Sequence, residues 1–352
     1  MMKKMNLKRE CISVFLLTGL FLFSIFPVSA AARSVPKDIN YLLGLYYGNA
    51  SYFLLREEKG ILQIVYLTDR EDRDFSMGNV FPLKKVRFDS YEMKEDGPFF
   101  SGEAAVHFER DTEGNGIVCK IGSKRFARSF FPGEGNKVLR IESSGDYPAL
   151  KEAAQKADMP AQLQQGQAAR LVRIRSVAPD VKFDLRYAGA DNIFGVPLYD
   201  ATEAYVEAET AVALKKVADK LAASGYGLLV WEGYRPWYVS KLASDLLPKD
   251  KKGMMPAPDK GEDRNTGRTV DVGLYDLTSG EAVNMISDYD EVSVRQFPGF
   301  RGGTERQRSQ RDLLADVMKE CGFTQGRDEW WHFTLGNLAD WQHLNISYGQ
   351  IR

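Results

Sequence analysis

The sequence predicts an α+β protein: a small antiparallel β-rich N-terminal domain over residues 35–142, then an α+β domain over 169–352. Three observations predict it. Short apolar runs separated by turn residues recur over residues 40–139. A Ser-, Ala-, Gln- and Lys-rich stretch with Pro148 and Pro160 then breaks the pattern over 143–168 and reads as a linker with one short helix. Beyond it, helical periodicity alternates with buried-strand runs. The length of 352 residues is itself a prior for two domains rather than one.

The first thirty residues read as a targeting segment. Lys3, Lys4, Lys8 and Arg9 precede an apolar run over residues 12–26, and Val28-Ser29-Ala30 supplies the small residues of a cleavage site. The run is shorter than the roughly twenty residues a bilayer requires. A signal peptide cut near Ala30, and hence an exported protein, periplasmic or extracellular, is the expectation; an uncleaved anchor is the alternative. Cys11 precedes the apolar run, which argues against a lipoprotein anchor, and no later segment is apolar enough to span. Apolar residues at 44% and charged residues at 27% are globular values, and a net charge of −1 advertises no nucleic-acid partner. Cys119 and Cys321 follow no metal spacing; in an exported protein they are either a disulfide or two separate core residues.

Strands are expected at 41–47, 50–56, 61–67, 104–109, 117–121, 125–131 and 138–141, with a hairpin turn at Glu58-Lys59-Gly60 and another turn over 111–116. Short strands at this spacing suggest a small antiparallel sheet or barrel, its aromatic residues serving as core. In the second half, Leu214, Val217, Ala218 and Leu221 take the spacing of a buried helix face within a helix over 203–223, stopped at Gly225. A buried strand over 227–231 leads into Glu232-Gly233-Tyr234-Arg235-Pro236. Another strand surrounds Asp271. A last helix over 305–321, with Gly322 as its cap, delivers the chain to Glu329-Trp330-Trp331-His332.

Of the three histidines, His332 is the one set among acidic and aromatic residues. On a strand, Glu329 and His332 would face opposite sides, so a site using both implies a bulge or turn at the double tryptophan.

Six blocks in order resemble the zinc-dependent D-alanyl-D-alanine dipeptidases, including the vancomycin-resistance type. They are Asp184-Leu185-Arg186-Tyr187-Ala188, Asp191-Asn192-Ile193-Phe194-Gly195, Trp231-Glu232-Gly233-Tyr234-Arg235-Pro236, Gly267-Arg268-Thr269-Val270-Asp271, Asp276-Leu277-Thr278-Ser279-Gly280-Glu281 and Glu329-Trp330-Trp331-His332-Phe333. The resemblance covers residues 171–335. It implies a zinc cofactor held by a His, an Asp and a second His, with a fourth position open for water, whose pKa the metal lowers to about 7. Carried over by position, Asp271 and His332 are metal ligands, Glu329 the general base and Arg235 the oxyanion stabiliser. Tyr187 and Asp290 fall where the family shapes its pocket, Asp290 facing the ammonium of a small D,D-dipeptide or peptidoglycan fragment.

One position departs. The family places its first ligand seven residues before the Asp, in a Ser-x-His-x-x-Gly-x-Ala-x-Asp pattern; here Arg264 stands for the His, Glu262 for the Ser and Thr269 for the Ala. A guanidinium stays protonated and offers no lone pair to a metal. A cation 4 Å from a unit charge contributes about 4 kcal/mol at an effective dielectric near 20, and a divalent ion would feel more. Either Glu262 or Asp263 becomes the third ligand, or Arg264 occupies the metal's place and pairs with Asp271 and Glu329. Arginine's donor geometry favours the second, which makes the chain a catalytically impaired binder of peptidoglycan fragments or of a protein.

Overall fold

All the strand pairs of the N-terminal region are antiparallel, as the run of turn-separated strands implies. After a short helix α1 (Lys37–Asn40) come β1 (Gly44–Gly48), β2 (Ser51–Glu58), β3 (Ile61–Leu67), β4 (Met77–Pro82), β5 (Lys84–Arg87), β6 (Ser90–Met93), β7 (Ala104–Arg110), β8 (Gly116–Ile121) and β9 (Lys124–Ser129). They form one nine-stranded sheet in the order β4-β3-β2-β1-β9-β8-β7-β6-β5. Its two edge strands, β4 and β5, are joined through Leu83, whose amide donates to the Leu62 carbonyl at 2.8 Å. The sheet therefore curls back into a near-closed barrel, which leaves little open edge. Tyr46, Phe53, Phe108 and Phe126 fill it, with Tyr46 and Phe53 stacked at 5.4 Å and Phe126 edge-on to Phe53 at 5.1 Å.

The computed structural model describes residues 37–48, 50–67, 77–94, 102–131 and 140–351. The expected signal peptide, its cut near Ala30, and residues 138 and 139 of the last expected strand lie outside these. Arg140 and Ile141 are not in a strand. The expected strand over 41–47 begins at Gly44, because residues 41 and 42 turn out of α1. The hairpin at Lys59-Gly60 has left-handed φ of 52° and 78°, the pair that a two-residue turn needs to match the strand twist.

The second half comprises α2 (Tyr147–Lys156), β10 (Leu171–Arg173), α3 (Ile174–Val177), β11 (Lys182–Phe183), β12 (Tyr205–Glu207), α4 (Ala208–Ala222), β13 (Tyr226–Glu232), α5 (Trp237–Leu246), β14 (Thr269–Asp276), α6 (Glu305–Glu320), β15 (Phe323–Gln325) and β16 (His332–Leu335). Five of these strands make a mixed sheet, β11-β13-β14-β16-β15, parallel at β11–β13 and antiparallel elsewhere. The helix expected from residue 203 starts at Ala208. Residues 205–207 instead pair with β10, and the Glu207 carboxylate then caps the helix by accepting from the Glu209 and Thr210 amides. Thr304 caps α6 with Gln307 in a capping box, and Gly322 follows its last turn with φ 93°.

The segment expected to be a linker packs down: Ala154 of α2 and Leu163 are buried, and the Ser144 amide bonds the Leu246 carbonyl at the end of α5. The described residues belong to one compact unit. At the seam with the barrel, Arg308 of α6 donates to the Glu57 carbonyl at 2.8 Å and to the Glu58 carboxylate at 2.6 Å. The Glu57 carboxylate in turn accepts from the Glu305 amide at 3.0 Å. Cys119 and Cys321 are free thiols. Among the described residues no helix is long and apolar enough to cross a membrane.

Candidate active site

β13, β14 and β16 bring the centre together. Asp271 on β14 lies directly opposite His332 on β16, and a register shift between Val230 and Glu232 turns the end of β13 toward them. The bend that joint use of Glu329 and His332 requires is present: Trp330 and Trp331 form a turn, with the His332 amide 3.4 Å from the Glu329 carbonyl. Both tryptophans are buried. Trp330 donates to the Ser287 hydroxyl at 2.8 Å, and Trp331 packs edge-on to Tyr289.

A 3₁₀ turn, Asp263–Thr266, precedes β14 and carries Arg264. Glu262 and Asn265 close it in a capping box. Gly267 ends it at φ 74°, where a Cβ would lie 2.8 Å from Leu171 and 3.2 Å from the Glu207 amide, so the position admits glycine alone without rearrangement.

Donor atoms of Asp271, Glu329 and His332 lie within 4.8 Å of one another, the spacing of a metal-binding group. Arg264 reaches into that group. Its Nε and Nη2 lie 2.8 and 2.7 Å from Asp271 Oδ2, and Nη2 lies 3.3 Å from Glu329 Oε2. The other Asp271 oxygen is 2.9 Å from His332 Nδ1, and His332 Nε2 is 3.7 Å from the half-exposed Asp263. Burial would raise the Asp271 pKa, but Arg264 and His332 outweigh it and hold the carboxylate well below its usual range. Burial and the Arg264 charge favour neutral His332, yet the Asp263 and Asp271 carboxylates beside it lift its pKa to about 9.

Arg235 sits one layer deeper, with only 3% of its surface exposed. Its Nε and Nη2 form a fork with Glu232, Nη1 donates to Glu262 at 2.9 Å, and its guanidinium lies 5.0 Å from the Tyr187 ring centre. Asp290, beside Tyr187, holds a left-handed φ of 57° and has a buried Oδ2 without a hydrogen-bond partner. Burial, with the nearby Glu329 charge, pushes Asp290 up to about 7. The seven residues singled out from sequence therefore converge on one place.

From sequence, Tyr289 and Glu232 have no role of their own, and Glu262 takes one other than the expected ligand. Tyr289 stacks on Trp231 at 5.0 Å and sets its hydroxyl 3.0 Å from Asp271 and 3.2 Å from Glu232. Glu232 and Glu262 are the carboxylates around Arg235. Glu232 lay inside a quoted block, but nothing local marks it as the arginine's partner. The alternative with Glu262 as a metal ligand is not realised, because that carboxylate is turned to Arg235 and Ser240.

A mixed sheet that presents an Asp, a His and a Glu at this spacing makes a group that could hold a metal ion. The comparisons narrow the class. The model of the D-ala-D-ala dipeptidase family (peptidase M15) matches residues 167–348, slightly more than half of the chain, and the protein belongs to that family. The D-alanyl-D-alanine dipeptidase of Enterococcus faecalis (strain ATCC 700802 / V583) is 32% identical over 177 residues, spanning 44% of this chain and 86% of that protein. The Escherichia coli (strain K12) protein of the same name is 28% identical over 174 residues, spanning 49% and 89%. A solved structure of the LdcB LD-carboxypeptidase is 18% identical and covers 54% of this chain and 86% of its own, with a TM-score of 0.31, too loose a likeness to build on.

Proposed function

We propose that this protein is an exported member of the family that recognises D,D-dipeptide ends of cell-wall type without metal-dependent hydrolysis. The observation that carries this is the Arg264 guanidinium, bonded to Asp271 and Glu329 within the group that would hold the ion. The residues present do not fit a resident zinc ion. Zinc asks for protein donors with free lone pairs, and here a permanent cation stands among them at the third ligand position while both Asp271 oxygens are engaged. A guanidinium in that place also offsets the desolvation of the carboxylates it pairs with, which makes the replacement stable rather than a vacancy.

Recognition survives such a change. The buried, unpartnered Oδ2 of Asp290 is suited to the ammonium of a small peptide, and Tyr187 lies beside that carboxylate. Export rests on the basic, apolar and small-residue order of residues 1–30. Calorimetric titration with D-Ala-D-Ala is expected to give binding that Asp290→Ala abolishes, with no dipeptide cleaved whether zinc or chelator is added. Turnover that chelator blocks would overturn the proposal.

A further inference from the structure

Arg264 accounts for the metal, but Glu262 is a second departure from the family pattern and makes contacts that Arg264 does not explain. In place of a serine it puts a carboxylate between two guanidiniums: Oε1 accepts from Arg235 Nη1 at 2.9 Å, and Oε2 lies 3.9 Å from Arg264 Nη1. Ser240 donates to the same Oε1, so the carboxylate is held from three directions, and the Glu262 amide donates to the Asn265 side chain at 2.9 Å. Asn265 Nδ2 also donates to the Arg235 carbonyl at 2.9 Å, tying the same turn to the arginine's backbone.

The consequence falls on Arg235. Glu232 already takes Nε and Nη2 as a fork, which would leave Nη1 as the end able to address a ligand. Glu262 takes that end. With Glu232 on Nε and Nη2 and Glu262 on Nη1, a carboxylate engages every nitrogen of the guanidinium, and a developing oxyanion would have to compete with both for it. We infer that Glu262 is a positioning residue that locks Arg235 into the interior, a block on hydrolysis separate from the loss of the metal. This rests on the reading that Arg235 is the group that would otherwise steady an oxyanion. Restoring a histidine at 264 therefore does not restore catalysis.

The test compares wild type, Arg264→His, Glu262→Ser and the double variant for zinc content and for D-Ala-D-Ala turnover with zinc present, each checked for folding by thermal unfolding. The expected result is zinc in both proteins carrying Arg264→His, but turnover in the double variant alone. Its kcat should exceed that of the single variant by about 10²-fold or more, with KM little changed, because an oxyanion donor acts in the transition state. Equal kcat in the single and double variants, including none in either while both hold zinc, would overturn the inference.

Phenylglyoxal modification mapped by mass spectrometry reads the lock without any metal, and decides the matter if neither variant holds zinc. Arg235 should be protected in wild type and become reactive in Glu262→Ser, while Glu262→Gln, which keeps the shape and loses the charge, falls between. Protection unchanged in Glu262→Ser would equally overturn it. Tight zinc in the wild-type protein would contradict the proposed function instead, and leaves the single-against-double comparison to judge the lock.

Discussion

The barrel and the inner part of the ionic centre are both buried and are held by opposite means. Inside the barrel, Tyr46, Phe53, Ile64, Phe108 and Phe126 pack as apolar surface, and the Tyr46 hydroxyl alone of these needs a partner, the Leu42 carbonyl at 2.8 Å. In the centre, the buried side chains are Glu232, Arg235, Glu262 and Asp271, with Arg264 nearly so. Apolar packing is non-directional and forgives a substitution of similar volume. A buried ion network does not, because the loss of one member strands the charges it paired.

The largest expected effect sharpens that contrast. Arg264→Leu takes the guanidinium from Asp271 and Glu329, leaving His332 as the one cation on the buried Asp271, and should cost about 3–5 kcal/mol in urea unfolding. A loss under about 1 kcal/mol would show that the centre relaxes as easily as a core. The seam comes next. Arg308→Ala removes bonds to the Gly302, Gly303 and Glu57 carbonyls and to Glu58, and should cost about 2–3 kcal/mol.

Asp290 gives a pH-dependent effect. Its pKa rises from 3.8 to about 7 on folding, so between those values the folded protein keeps a proton that the unfolded chain has released. Stability therefore falls as pH rises through that window. Asp290→Asn, which tolerates the φ of 57°, should remove the penalty and be more stable than wild type by about 2 kcal/mol at pH 8 but not at pH 4. Parallel pH–stability curves for the two proteins would contradict the assignment. The smallest effect belongs to the barrel, where Phe53→Leu should cost about 1–1.5 kcal/mol, because neighbouring aromatics can close on the smaller side chain.

Much of the centre was legible in the sequence because its register is short-range. Arg264 stands seven residues before Asp271, and Glu329 three before His332, so a pattern of spacings reveals them. Glu262 was visible as a residue but not as Arg235's partner, since the two stand 27 residues apart and only the fold brings them together. Tyr289, adjacent to Asp290, gave no signal of its own. In the barrel, β2, β3, β7 and β8 alternate or run apolar and were readable, whereas β5 is Lys84-Lys85-Val86-Arg87, exposed along its whole length. An edge strand is protected by charge, and that charge hides it from a reading based on hydrophobic period. Helix α5 escaped for a different reason. It begins directly after Pro236 with Trp237 and Tyr238, without a side-chain cap to announce it.

The central claim is that Arg264 holds the place of the metal, and metal content measures this directly. Protein purified in the presence of zinc and dialysed should contain well under one equivalent by mass spectrometry of the metal, whereas Arg264→His should take up about one, through Asp271, His332 and the new imidazole. One tightly held zinc per wild-type chain, lost on His332→Ala, would contradict the account.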